Sequence, residues 1–156
     1  MFKRFILDVD GVMTDGKIYW DEKGKPFKAF SNYDHDGLKI IRNFLDVEFI
    51  SADKVGWNIS ENRIVQHMKF KLSYVTEQER LQWVLNKGDP AETVFMGDGP
   101  YDAKVLKSVG LGIAPSQSWN NVIQLADYVT KRPGGDGAVM EACLFLLQKM
   151  RINYEF

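Results

Sequence analysis

Short apolar runs alternate with amphipathic stretches along most of the chain, and two of these runs lead directly into acidic residues. The run at residues 5–7 is followed by Asp8, and the run at residues 93–96 is followed by Gly97 and Asp98. Runs this short and this apolar are typical of strands buried on both faces of a parallel sheet, with the intervening helices as connections. The alternation therefore predicts a doubly wound α/β domain with a Rossmann-like parallel sheet.

The other predicted elements follow from the same alternation. Strands are expected at residues 5–9, 47–51, 93–96 and 111–114, and helices at 38–45, 57–68, 77–87, 101–108, 122–125 and 139–150. Residues 17–30 break the pattern, because two strand-like stretches flank a turn that contains Gly24. We therefore expect a single domain over residues 1–156, with a β-hairpin at 17–30 that projects over the edge of the sheet.

Composition and charge exclude several classes of function. The chain carries 20 basic and 21 acidic residues, so it has no basic excess for binding nucleic acid. Its apolar runs are too short, and too often broken by charge, for a signal peptide or a membrane span. The single cysteine, Cys143, lies in an apolar helical stripe and is expected to be a buried structural thiol. We expect a cytoplasmic protein with no membrane or nucleic-acid partner.

Two carboxylates follow the first apolar run. Asp8 is expected at the end of a strand and Asp10 two residues later, at the edge where parallel sheets bind ligands. Gly11 follows and allows the backbone to turn sharply. Neighbouring carboxylates repel each other unless a cation is bound, and with a cation one can attack phosphorus while the other transfers protons. The alternative interpretation is a strand followed by an acidic turn.

A second acidic group follows the strand predicted at residues 93–96. Asp98 should emerge at the same edge as Asp8, and Asp102 begins the next predicted helix. Oxygen ligands from Asp8, from the main-chain carbonyl of Asp10 and from Asp98 suit octahedral Mg²⁺, which is the cofactor that we expect. Asp102 either holds a metal-bound water molecule or caps its helix, and both roles stay open.

Two further residues occupy positions suited to phosphoryl transfer. The Ser51 hydroxyl lies at the end of a predicted strand and can donate a hydrogen bond to a transferring phosphoryl group, although serines also cap helices there. Arg80 lies near the start of a predicted helix and can neutralise charge on the phosphoryl oxygens. The alternative for Arg80 is an ordinary surface arginine.

Taken together, these motifs resemble those of the haloacid dehalogenase superfamily of phosphotransferases. The resemblance implies that Asp8 attacks the phosphoester to form an aspartyl-phosphate, and that Asp10 protonates the leaving group and then activates water. The remaining motifs match in chain order: the hydroxyl of the second motif at Ser51, the lysine of the third at Arg80, and the acidic fourth at Asp98 with Asp102.

Residues 10–40 and 109–143 are similar to the 3-deoxy-D-manno-octulosonate 8-phosphate phosphatase branch of that superfamily. The resemblance implies a capless homotetramer in which hairpins and neighbouring subunits close the sites. It also implies a 2-keto-3-deoxy sugar acid phosphate as substrate, such as octulosonate 8-phosphate or nonulosonate 9-phosphate. The interface is expected at the aromatic side chains of the hairpin: Tyr19, Trp20, Phe27 and Phe30.

Departures from the usual pattern of the branch affect substrate contacts more than chemistry. The second motif usually reads Thr-Gly-Arg, whereas residues 51–54 read Ser-Ala-Asp-Lys, and Met140 replaces an expected arginine. We therefore expect Lys54 to contact a substrate carboxylate, and Gly11 also to contact the substrate. Two alternatives remain: a phosphatase for another sugar or nucleotide phosphate, and a catalytically weak homologue that acts as a binding or assembly partner.

Overall fold

A six-stranded parallel sheet forms the centre of the computed structural model, which describes residues 1–25 and 27–155. In chain order the strands are β1 (Arg4–Asp8), β2 (Asp46–Ser51), β3 (Lys71–Tyr74), β4 (Thr93–Met96), β5 (Leu111–Ala114) and β6 (Tyr128–Val129). Their spatial order is β3-β2-β1-β4-β5-β6. The direction of winding therefore reverses between β1 and β4, which is where doubly wound sheets bind ligands.

Helices cover both faces of this sheet. They are α1 (Asn32–Ile41), α2 (Trp57–Glu61) with a π-helical continuation (Asn62–His67), α3 (Arg80–Leu85), α4 (Ala103–Leu106), α5 (Asn120–Ile123) and α6 (Ala138–Lys149), and 3-10 turns lie at Pro90–Glu92 and Pro100–Asp102. No helix in the described part of the chain has the length and apolar character needed to cross a membrane.

The strands separate two hydrophobic cores, because successive residues of a strand point to opposite faces of the sheet. Phe5 and Leu7 of β1 pack in the core that contains α1 and α6, whereas Ile6 packs in the core that contains α3, α4 and α5. Cys143 is fully buried in the first core, and burial raises the pKa of its thiol above the usual range. A buried, protonated thiol is unreactive, as expected for a structural cysteine.

The predicted doubly wound sheet is confirmed, and each of the four predicted strands lies within one residue of its observed bounds. Helix ends are less accurate: residues 77–79 form a turn before α3, and residues 100–102 form a 3-10 turn before α4. The sequence predicts no strand at β6, because two residues are too short to show a periodic pattern. Between β2 and β3 the chain holds only α2 and its continuation, so the described residues contain no cap domain there.

Residues 17–30, which we call the flap, differ from the predicted hairpin. Asp21 and Gly24 exchange two backbone hydrogen bonds of 3.0 and 3.1 Å across a tight turn. The other flap residues that the structure describes form no strand, and Pro26 lies outside the described residues. The predicted hairpin is therefore confirmed at its turn, but the described residues of the two arms of the flap, on either side of this turn, are not strands. Side-chain contacts with the rest of the protein hold these two arms in position, and backbone hydrogen bonds between their described residues do not.

Candidate active site

Asp8 is the last residue of β1 and lies where the winding of the sheet reverses. Its side chain is 9% exposed. One carboxylate oxygen, Oδ1, accepts a hydrogen bond of 2.9 Å from the backbone N–H of Val9, and Oδ2 accepts one of 3.0 Å from Nη1 of Arg80. The parallel ladder and these two donors hold the carboxylate at the carboxyl edge of the sheet, as the sequence predicts.

Arg80 is the first residue of α3, and its side chain is 5% exposed. The same Nη1 atom donates to Oδ1 of Asp102 at 2.5 Å, so one nitrogen joins two carboxylates. Burial opposes the charge of the guanidinium, but the attraction of Asp8 and Asp102 outweighs it and raises the pKa of Arg80. Arg80 is therefore a permanent cation in contact with Asp8, and the surface alternative does not apply.

The loop after β4 carries the second acidic group. Asp102 is fully buried, and its Oδ2 accepts hydrogen bonds of 3.0 Å from the backbone N–H groups of both Asp98 and Gly99. Asp102 therefore caps this turn, which is one of the two roles left open by the sequence. Gly11 lies against the same loop, since a Cβ atom there would come within 2.1 Å of Oδ2 of Asp98, and its φ of +88° favours glycine.

Three carboxylates converge at this edge of the sheet. Asp8, Asp98 and Asp102 each place an oxygen within 4.8 Å of the others. Burial raises the pKa of Asp8 well above its usual range, and burial together with Asp102 raises the pKa of Asp98 to about 7. One guanidinium thus faces three carboxylates, and a divalent cation would balance the remaining charge. Carboxylate oxygens are the ligands that Mg²⁺ prefers, so this cluster can hold Mg²⁺.

Asp10 lies beside this cluster, and its charge contributes to the raised pKa values of Asp8 and Asp98. Oδ2 of Asp10 accepts a hydrogen bond of 2.9 Å from the hydroxyl of Ser51, and its Oδ1 lies 2.7 Å from Nζ of Lys28. Ser51 is fully buried, and its hydroxyl oxygen also accepts from the backbone N–H of Asp53 at 3.0 Å. The structure thus brings Asp10 and Ser51 together, while the predicted Ser51 contact with a phosphoryl group remains a prediction.

Two lysines of the flap complete this side of the site, and sequence analysis missed both. Nζ of Lys28 lies 2.8 Å from Oδ2 of Asp53, and Nζ of Lys25 lies 2.5 Å from the same atom. The two side chains are only 4% and 10% exposed. Their partners are distant in sequence and follow no motif spacing, so no signal in the sequence points to these contacts.

The two residues predicted to contact substrate, Lys54 and Gly11, differ in their surroundings. Lys54 lies in the bend after β2, is exposed, and has no ion pair with any residue that the structure describes. The N–H of Gly11 donates to the hydroxyl of Thr14 at 3.1 Å, and its carbonyl accepts from Nε2 of Gln117 at 2.6 Å. Gly11 is thus held within the turn, and its contact with substrate stays a prediction. Sequence analysis also missed Gln117.

Comparison with known proteins agrees with this geometry. The model of the haloacid dehalogenase-like hydrolase family matches residues 9–142. The chain therefore belongs to the haloacid dehalogenase-like hydrolases. It is also 34% identical over 152 residues to the 3-deoxy-D-manno-octulosonate 8-phosphate phosphatase KdsC of Escherichia coli (strain K12), an alignment that covers 91% of this chain and 77% of the relative. Together, the family and this relative identify the chain as a phosphatase, which confirms the activity predicted from its motifs.

Solved structures show the same fold. The cobalt-bound deoxy-D-mannose-octulosonate 8-phosphate phosphatase (YrbI) of Haemophilus influenzae matches with a TM-score of 0.81 at 25% identity, covering 94% of this chain and 88% of that one. The 3-deoxy-D-manno-octulosonate 8-phosphate phosphatase of Moraxella catarrhalis, in complex with magnesium, phosphate and KDO, matches with a TM-score of 0.84 at 24% identity. That match covers 94% of this chain and 86% of the other.

Proposed function

We propose that this phosphatase is Mg²⁺-dependent, works through an aspartyl-phosphate at Asp8, and acts on the phosphate ester of a 2-keto-3-deoxy sugar acid. The observation that carries the proposal is the arrangement around Asp8. This carboxylate ends a strand at the reversal point of the sheet, lies within 4.8 Å of two further carboxylates and contacts a buried arginine. The chemistry is supported by that geometry, and the substrate class by the names of the relatives.

In the first step, a carboxylate oxygen of Asp8 attacks phosphorus and the bond between phosphorus and the sugar oxygen breaks. The electron pair of that bond goes to the sugar oxygen, and Asp10 gives this oxygen a proton, so the alcohol leaves neutral. Arg80 already contacts Asp8 and attracts the developing negative charge on the phosphoryl oxygens. Bound Mg²⁺ would supply further neutralisation of those oxygens.

In the second step, the carboxylate of Asp10 takes a proton from water, and the water oxygen attacks phosphorus. The bond between phosphorus and Asp8 breaks, which releases inorganic phosphate, restores the Asp8 carboxylate and leaves Asp10 protonated, as it was before the first step. Asp10 serves as acid and then as base, so its carboxyl group must stay within reach of the oxygen on the far side of phosphorus. Its two hydrogen-bond partners, Ser51 and Lys28, fix where that group points.

Substrate choice depends on residues outside this chemistry. Lys54 is exposed beside the end of β2 and lacks an ion pair within the described residues, so its ammonium is available to a substrate carboxylate. We expect a panel of phosphorylated sugar acids, neutral sugars and nucleotides to rank sugar acid phosphates first in kcat/KM. A nucleotide in first place would overturn the proposed substrate class.

Lys54→Met tests the carboxylate contact directly. We expect KM for a sugar acid phosphate to rise about tenfold, the loss of about 1.4 kcal/mol of binding, with little change for the matching neutral sugar phosphate. Lys23→Met is the control, because Lys23 is an exposed flap lysine that the site does not use. Equal changes in KM for both substrates would exclude recognition of a carboxylate by Lys54.

The same proposal includes a cytoplasmic homotetramer assembled through the flap. Trp20 and Phe27 are 64% and 54% exposed, and the ring of Tyr19 stacks on Phe27 at 4.9 Å between centroids. Large exposed aromatic side chains of this kind are typical of interface centres. Phe30 is partly buried against the core of its own domain, so it offers less surface to a partner than Trp20 or Phe27.

A further inference from the structure

We propose that Lys28 is a positioning residue for proton transfer: its ammonium fixes the orientation of the Asp10 carboxyl group, so the flap is part of the acid–base machinery. The inference rests on the proposed function, because it takes Asp10 as the group that protonates the leaving oxygen. It adds a residue outside the motifs that define the site, and it gives the flap a role in catalysis within one chain.

The Asp10 carboxylate is held at both oxygens. Lys28 contacts Oδ1 at 2.7 Å and Ser51 donates to Oδ2 at 2.9 Å, so rotation of the carboxylate about its terminal bond would break both contacts. Each carboxylate oxygen has two acceptor positions, so each keeps one for substrate or water. Rigid placement within hydrogen-bond reach of the proton that moves is what a general acid requires.

Lys28 has no donor left for another role. An ammonium group has three N–H donors, and this one has three partners: Asp10 at 2.7 Å, Asp53 at 2.8 Å and the hydroxyl of Ser60 at 2.8 Å. The side chain is 4% exposed. A cation that binds a substrate anion keeps a donor free and open to the site. Lys28 instead has the contacts of a group that holds its neighbours in place.

Asp53 fixes Lys28 from the opposite side. Its Oδ2 contacts both Lys28 and Lys25, and its Oδ1 accepts from the backbone N–H of Gly56 at 2.9 Å. Burial alone would raise the pKa of Asp53, but the hydrogen bonds from the two lysines outweigh it and keep the pKa below the usual range. Asp53 is therefore a fixed anion that ties the flap to the end of β2, and Lys28 connects this anion to Asp10.

The test compares two substrates that differ in their leaving group. A sugar phosphate releases an alkoxide that needs a proton, whereas 4-nitrophenyl phosphate releases a stable phenolate that does not. The ratio kcat/KM reports only the steps up to departure of the leaving group when that step is irreversible. We expect Lys28→Met to lower kcat/KM at least about tenfold more for the sugar phosphate, since general acid catalysis contributes about 10²–10⁴-fold.

Asp10→Asn removes the proposed general acid and so measures how large the difference between the two substrates can be. Lys25→Met is the matched control. Lys25 shares Asp53 with Lys28 but has no contact with Asp10, so its loss should change both substrates by the same factor. Lys28→Gln serves as the second variant if Lys28→Met does not fold, with thermal unfolding as the check. Equal losses on both substrates for the Lys28 variants, while Asp10→Asn discriminates, would overturn the role of Lys28. Failure of Asp10→Asn itself to discriminate would instead contradict the proposed function.

Discussion

The carboxyl edge of the sheet and the flap contribute to the same site by different physical means. At the sheet edge, Asp8, Arg80 and Asp102 are buried, and parallel strands and helix starts set their positions. The described part of the flap has a single antiparallel bridge, and Lys25 and Lys28 attach it through their side chains. The site therefore combines a rigid scaffold with a segment that side-chain ion pairs hold in place.

This difference assigns different tasks to the two regions. Groups that stabilise developing charge work best when they are preorganised and shielded, which is what the buried carboxylate–arginine cluster offers. Groups that orient a proton donor or distinguish substrates can lie on a segment that is held by replaceable contacts. We therefore expect substitutions at the sheet edge to abolish chemistry, and substitutions in the flap to change leaving-group dependence, assembly or KM.

The largest effect is expected at Asp8. Asp8→Asn removes the nucleophile and leaves an isosteric side chain, so kcat should fall by at least about 10⁴-fold while the fold is kept. Steady-state kinetics and circular dichroism measure the two quantities. Activity above a few per cent of wild type in a clean preparation would place the nucleophile elsewhere.

Loss of the metal is expected to have the next largest effect. Chelation, or Asp98→Ala, should reduce activity at least about 10²-fold, because the remaining residues leave the phosphoryl charge poorly balanced. Since burial and Asp102 raise the pKa of Asp98 to about 7, protons compete with Mg²⁺ below that pH. The half-saturating Mg²⁺ concentration should therefore fall as the pH rises from about 6 to about 8. Full activity after exhaustive chelation would remove the metal from the mechanism.

A smaller effect is expected for Trp20→Glu in the flap. It should shift sedimentation from a tetramer to smaller species and lower kcat/KM about tenfold, equivalent to about 1.4 kcal/mol. Trp119→Glu is the matched control, because Trp119 is 71% exposed against 64% for Trp20 and lies outside the flap. A fully active wild-type monomer would contradict the proposed assembly.

The smallest effect on activity is expected at Asp34, which anchors the helix that follows the flap. Its carboxylate is fully buried and accepts from the backbone N–H of Met140 at 2.9 Å, at the start of α6. Burial raises the pKa of Asp34 to about 6, although backbone hydrogen bonds oppose the shift. The folded form therefore binds the proton more tightly than the unfolded chain, and this stabilisation is lost as the pH rises from about 4 to about 6.

Asp34→Asn has no such titration. Its free energy of unfolding, relative to wild type, should rise by up to about 3 kcal/mol over this pH range, since each pKa unit is worth about 1.4 kcal/mol. Urea denaturation at several pH values measures the difference, and kcat should change little. A difference that does not vary with pH would show that Asp34 has an ordinary pKa in the folded protein.

The sequence predicts the sheet edge better than the flap, for a physical reason. Asp8 and Asp98 come at the ends of buried apolar strands, and parallel strands bring their carboxyl ends to one edge of the sheet. The local sequence pattern therefore predicts that these two residues, although distant in sequence, lie close together. Lys25 and Lys28 reach Asp53 through flexible side chains on an irregular segment, and no periodic pattern encodes that contact. The prediction of paired strands in the flap is wrong for the same reason. Side-chain contacts with the sheet edge hold the flap, and these contacts leave no periodic pattern in the sequence.

The most direct test of the central claim is chemical capture of the intermediate on Asp8. Acid quenching during turnover, followed by reduction with borohydride, converts an acyl phosphate on an aspartate side chain to homoserine. Peptide mass spectrometry should then find homoserine at position 8, only when substrate is present, and not in Asp8→Asn. An unmodified Asp8 in enzyme quenched during rapid turnover, or homoserine at another aspartate, would contradict nucleophilic attack by this residue.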